Sequence, residues 1–155
     1  MRLLIIEDAE EKLNDLVGWA SDKFQNLHVV TAKSLHTGKS SAIDPSIDLI
    51  LLDMTMRNYE RTPEEEGGRP HAFAGREIMR RMHRERVRTP VIVVTQFDRF
   101  GDEDDFKTLA DLKQELRSRF PNYVGTVQYR SNVDEWRQTL ELLVDKVVFG
   151  NEGEK

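Results

Sequence analysis

The residues most able to do chemistry in this chain are acids placed directly after apolar runs. Glu7 and Asp8 follow Leu3–Ile6, and Asp53 follows Ile47–Leu52. Thr95 follows the β-branched run Val91–Val94. Runs of this kind suit strands buried on both faces of a parallel sheet. Each group then stands at the carboxyl end of a strand. In an open sheet with strand order 2-1-3-4-5, strands one, three and four are neighbours. Three carboxylates and a hydroxyl then converge on one pocket, where open α/β sheets place their sites. Clustered carboxylates repel one another and favour a bound cation. Hard oxygen donors suit Mg²⁺, which takes one or two carboxylates and keeps several waters.

The elements that must position these groups alternate along the chain. A helix is expected from Leu13 to Phe24, with Asp8 as its cap and Glu11 as a capping-box partner. Leu27–Val30 reads as the second strand and Ser34–Ile43 as a weak helix. Residues Arg57 to Ala74 carry Pro63, Glu64–Glu66, Gly67, Gly68 and Pro70 and read as a long mobile loop. Gly75–Arg86 is helical, with Ile78, Met79 and Met82 on one side. Gln96–Asp104 reads as a loop. Asp105–Phe120 reads as a helix with Phe106, Leu109, Leu112 and Leu116 on its apolar face, stopped by Pro121. Tyr123–Tyr129 alternates as a strand, and Val133–Val148 is the last helix. The pattern predicts α/β architecture: a doubly wound five-stranded parallel sheet with helices on both faces. One domain over residues 1–148 and a flexible tail over 149–155 are expected.

Composition narrows the function classes. The chain has 155 residues, no cysteine, and Lys+Arg 23 against Asp+Glu 28, net -5. Disulfides, thiolate metal sites and thiol catalysis are excluded. The acidic balance argues against nucleic acid as a partner. No apolar run approaches the roughly 20 residues of a bilayer span, and acids interrupt the first run too early for a signal peptide. A soluble cytoplasmic protein is expected.

Glu7-Asp8, Asp53, Thr55, Thr95 and the segment Ala74–Ile78 together resemble the receiver domain of bacterial two-component response regulators, a flavodoxin-like fold. The resemblance implies that Glu7, Asp8, Asp53 and the Thr55 backbone carbonyl bind Mg²⁺, with Glu7 acting through water or from outside the coordination sphere. It implies that Asp53 accepts a phosphoryl group from a histidine kinase or phosphotransfer protein, and that the Thr95 hydroxyl reorients toward it. It further implies output through a downstream protein target, and homodimers through the fourth-helix face are a family possibility. Enzymatic activity beyond autodephosphorylation is not expected.

The sequence departs from the family pattern. The lysine expected after the fifth strand has no match: Tyr129 stands there, with Arg130 beside it as a candidate replacement cation. Arg is not a simple substitute for a Lys point charge. Arg57 replaces a proline, and the segments around 57–74 and 95–129 are enlarged. The alternative is therefore a phosphorylation-independent interaction module of the same fold. A Mg²⁺-dependent phosphohydrolase is disfavoured, because that class needs a second aspartate where Thr55 stands. Gly38-Lys39-Ser40 lacks the phosphate-loop glycine, since Lys33 occupies that position. The arginines from Arg76 to Arg88 read as a solvated face paired with acids.

Overall fold

The computed structural model describes residues 1–64, 70–102 and 105–150. Strands β1 (Arg2–Ile6), β2 (His28–Ala32), β3 (Leu49–Leu52), β6 (Val91–Thr95) and β9 (Tyr123–Gln128) form one sheet in the order β2-β1-β3-β6-β9. Every neighbouring pair is parallel. This is the expected 2-1-3-4-5 topology. Helices α1 (Glu10–Lys23), α2 (Leu35–Ala42), α3 (Ala74–Arg84), α4 (Leu109–Arg119) and α5 (Glu135–Gly150) join the strands.

Strand alternation divides the core into two layers. Leu3, Ile5, Leu49, Leu51, Ile92 and Val94 pack against α1 and α5. Leu4, Ile6, Ile50, Leu52, Val91 and Val93 pack against α2, α3 and α4. All twelve are buried, so the sheet is covered on both sides. Burying each such side chain contributes about 1.5–3 kcal/mol relative to exposure. The same alternation governs the residues just beyond the strands. Glu7 lies in phase with Leu3 and Ile5, and Asp53 with Leu49 and Leu51. Both therefore turn toward the layer that holds α1.

Three elements differ from the sequence expectation. The segment after Asp53 contains strand β4 (Met56–Arg57), paired antiparallel with β5 (Pro70–His71). The base of the expected loop is thus a two-stranded ladder, while residues 65–69 lie outside the described residues. Its outgoing arm is tied to α2, because the His36 amide donates to Asn58 O at 2.9 Å and Thr37 Oγ1 donates to Glu60 at 2.7 Å. Second, β7 (Arg99–Asp102) and β8 (Asp105–Thr108) form an antiparallel pair where a loop and a helix start were expected. The helix starts at Leu109 because Thr108 and Asp111 form a reciprocal capping box. Third, α1 begins after Ala9, and Asp8 makes no cap bond. Its Oδ2 accepts from the Arg57 amide at 3.2 Å instead.

Phe149 and Gly150 close α5, and the rest of the expected tail lies outside the described residues. Part of the arginine face pairs with acids: Arg76 with Glu115, Arg80 with Glu77 and Arg81 with Glu85. Gly38 is buried in α2, and a Cβ there would meet Ile78 Cδ1 at 2.8 Å, so it serves helix packing. No helix among the described residues is long and apolar enough to cross a membrane.

Candidate functional site

Glu7, Asp8 and Asp53 come together at the carboxyl end of the sheet. Each offers an oxygen within 4.8 Å of the others. Asp53 continues the β3 ladder, its amide donating to Ile6 O at 2.9 Å. Glu7 does the same for β1, donating to Ala32 O at 2.9 Å. Glu7 and Asp53 are buried, and Asp8 is half-buried. Asp8 opens on a cavity of about 470 Å³ whose lining includes Lys33, Arg57 and Arg61.

The charge that holds these acids together comes from Lys12, in the first turns of α1. Its side chain is 2% exposed. Its Nζ lies 2.5 Å from Glu7 Oε2 and 3.1 Å from Asp53 Oδ1. It also donates to the Val94 carbonyl at 2.6 Å. One ammonium therefore joins the ends of β1, β3 and β6. Burial alone would lower its pKa, but Asp53 and Glu7 outweigh that and raise it, so it is charged. The buried ammonium thus makes one hydrogen bond and two ion pairs.

The acids carry strain of the opposite kind. Burial, then the nearby Asp53 charge, pushes the Glu7 carboxyl up to about 8, against the pull of Lys12. Burial also raises Asp53, again opposed by Lys12. Glu7 is bracketed: Oε1 accepts from the Ala9 amide at 3.1 Å while Oε2 faces Lys12. On Asp53, Oδ1 takes both the Met54 amide at 2.9 Å and Lys12. Neither contact uses Oδ2.

The remaining expected residues are placed as follows. Thr95 is fully buried at the end of β6, and its Oγ1 accepts from the Phe97 amide at 3.3 Å. Thr55 lies just past Asp53, with its hydroxyl donating to Ala72 O at 3.0 Å. Arg130 is exposed and lines a separate cavity of about 250 Å³ with Gln128 and Trp136. Tyr129 is buried, with its ring centroid 5.9 Å from Lys12 Nζ and its hydroxyl donating to Asp15 of α1. Gly75 opens α3 against the site: a Cβ there would lie 2.6 Å from the Asp53 carbonyl oxygen.

Lys12 is the residue the sequence reading missed. A signal was present. Lys12, Leu16, Trp19 and Ala20 are all buried at helical spacing, so a lysine interrupts the apolar stripe of α1 one turn after the acid pair. A charge on a buried stripe needs a partner, and Glu7 was the nearest one.

No family model matches the chain. The chain is 35% identical over 144 residues to the uncharacterized protein y4jR of Sinorhizobium fredii, covering 91% of this chain and 95% of that protein. It is 32% identical over 143 residues to the Detocs response regulatory protein DtcB of Enterobacter cloacae, covering 90% and 95%. Among solved structures, it is similar to the signal receiver domain of a LuxO repressor protein from Vibrio parahaemolyticus, with TM-score 0.60, 14% identity, and 99% and 97% of the two chains covered. A CheY-like receiver domain from Methanospirillum hungatei gives TM-score 0.59 at 18% identity over 98% and 97%. These structures share the fold, and the curated relative adds the family. With its acids at the ends of β1 and β3 and its enlarged segments after β3 and β6, the chain belongs to the response-regulator receiver family as an atypical member.

Proposed function

We propose that this protein is a receiver that accepts a phosphoryl group on Asp53 and signals by binding another protein. The observation that carries this is the Asp53 carboxylate, buried at the end of β3 beside Asp8, Glu7 and a lysine ammonium. The donor is a sensor histidine kinase or a phosphotransfer protein, and the reaction takes place in the cytoplasm.

The donor set fits Mg²⁺. Three acids share the site with one ammonium, which leaves room for a divalent ion, and all the donors are hard oxygens. Asp8 and Asp53 would hold it with the Thr55 carbonyl. Glu7, whose two oxygens are engaged by Ala9 and Lys12, would act from outside the coordination sphere. When bound, the ion neutralises phosphoryl charge and orients the donor.

The chain's own residues supply the rest. The Asp53 carboxylate attacks phosphorus, forming an O–P bond, while the donor's bond to phosphorus breaks and the leaving group takes the electron pair. Such a transfer depends mainly on positioning and charge neutralisation. Thr95 supplies a hydroxyl that now accepts from Phe97 N and, on phosphorylation, turns to donate to a phosphoryl oxygen. That exchange releases the Phe97 amide at the start of the β7–β8 segment and alters the surface there.

Incubation with acetyl phosphate and Mg²⁺ tests the reading by intact-mass measurement. One phosphoryl group is expected on the wild type and none on Asp53→Asn. An unchanged wild-type mass, or a gain that survives in Asp53→Asn, overturns it.

A further inference from the structure

Lys12 reaches Asp53 from a helix, whereas the family resemblance places the pocket's lysine after the last strand. At that point the chain has Tyr129, which is buried, faces Lys12 and hydrogen-bonds to Asp15 on the same helix. Arg130 is exposed and lines a different cavity. Among the described residues, Lys12 is the one cation within ion-pair distance of Asp53. Its position is also built, not adventitious. Val94 O and Glu7 Oε2 fix Nζ from two further strand ends. The alternation of β1 and β3 turns Glu7 and Asp53 toward the α1 layer, so a lysine from that layer is the natural one to meet them.

We propose that Lys12 is the phosphoryl-pairing cation of this receiver, and that α1 is consequently the element that senses phosphorylation at Asp53. The proposal rests on the reading of Asp53 as phosphoacceptor. In the transfer from acetyl phosphate, the anhydride P–O bond breaks, acetate leaves with its electron pair, and the new O–P bond forms at Asp53. A carboxylate of charge -1 becomes an acyl phosphate of charge -2, and no proton is required. The Lys12 ammonium sits where that added charge appears. It gives up part of its contact with Asp53 Oδ1 and pairs with a phosphoryl oxygen. Its stem belongs to α1, whose Asp15 holds Tyr129, so the adjustment is transmitted along α1 and to the end of β9.

The test moves the lysine. Lys12→Met is compared with Lys12→Met/Tyr129→Lys, which places a lysine where the family has one, both checked for folding by circular dichroism. With acetyl phosphate and Mg²⁺, phosphorylation of folded Lys12→Met is expected to fall about 10²-fold, the typical cost of removing one charge-stabilising donor. The double variant is expected to regain at least about tenfold of that loss. A purely structural role for Lys12 predicts no such rescue. Wild-type rate in folded Lys12→Met, or a double variant as slow as the single, overturns the role of Lys12 while leaving Asp53 as acceptor. No mass gain in the wild type overturns both readings together. For wild type alone, NMR of the Lys12 ¹⁵Nζ resonance is independent of any folding defect. A shift on phosphorylation is expected, and an unchanged resonance in the phosphorylated protein overturns the proposal.

Discussion

The Lys12 ammonium lies 3.1 Å from the Asp53 carboxylate, and the two residues are among the most buried charged groups described in the chain. Taking such a pair out of water is costly, and the cost is recovered only when the geometry is complete. Here one ammonium is shared by acids that outnumber it. The site is therefore held in a charge-frustrated state that a divalent ion would relieve.

Removing Lys12 should expose that frustration. Lys12→Met in metal-free buffer is expected to lose about 3–5 kcal/mol, because Glu7 and Asp53 are left buried without a counter-charge. Asp53→Asn added to it should recover part of the loss. Urea unfolding with a chelator measures both. Equal stability of Lys12→Met and wild type would contradict the assigned pairing.

Glu7 makes the metal-free protein sensitive to pH. Its carboxyl is raised from 4.5 to about 8 by burial first and Asp53 second. Between those values the native state keeps a proton that the unfolded state releases, so the unfolded state binds fewer protons and stability falls as pH rises. Urea midpoints in chelator should therefore decline from about pH 5 to about pH 8, and Glu7→Gln should flatten the decline. Mg²⁺, which favours the ionised acids, should bind more tightly at the upper end.

Gly75 couples α3 to Asp53. A Cβ at this position would lie 2.6 Å from the Asp53 carbonyl oxygen and 3.0 Å from Met54 Cα. Both are backbone atoms that cannot step aside cheaply. Gly75→Ala is expected to cost about 1–3 kcal/mol, the range for overpacking, and to slow phosphorylation by displacing Asp53. Gly18, where a Cβ would meet nothing within 4 Å, serves as the control. A wild-type phosphorylation rate in Gly75→Ala would show that the site tolerates the shift.

Glu115 on α4 fastens the enlarged segment to the fold. It pairs with Lys107 of β8 at 2.7 Å and with Arg76 of α3 at 3.1 Å. Arg76 in turn stacks on Phe73, whose ring neighbours that of buried Phe100 on β7. Glu115→Gln removes the shared charge. Amides of Phe106–Thr108 should then exchange faster with solvent while those of β1 and β3 stay protected. Uniform change, or none, would count against this tie.

Much of the architecture was legible because its signals are local. Ile47–Leu52 and Val91–Val94 could satisfy their apolar side chains only inside a sheet covered twice. The acids after Leu3–Ile6 and Ile47–Leu52 marked the carboxyl ends, and the structure gathers all three. What escaped depended on competition or distance. Phe106 fits the periodicity of Leu109, Leu112 and Leu116, but the Thr108–Asp111 capping box starts the helix later and frees Phe106 for a strand. Asp8 looks like a helix cap, yet the Arg57 amide claims its oxygen. Lys12 escaped because the family pattern puts a lysine after the last strand, where Tyr129 and Arg130 stand, whereas the fold brings an ammonium to Asp53 from α1.

Asp53 is the residue proposed to carry the phosphoryl group. Borohydride reduction converts an aspartyl phosphate to homoserine, which peptide sequencing by mass spectrometry locates. After treatment with acetyl phosphate and Mg²⁺, homoserine is predicted at position 53 alone. Unreduced aspartate at 53, or reduction at Glu7 or Asp8 instead, would contradict the account.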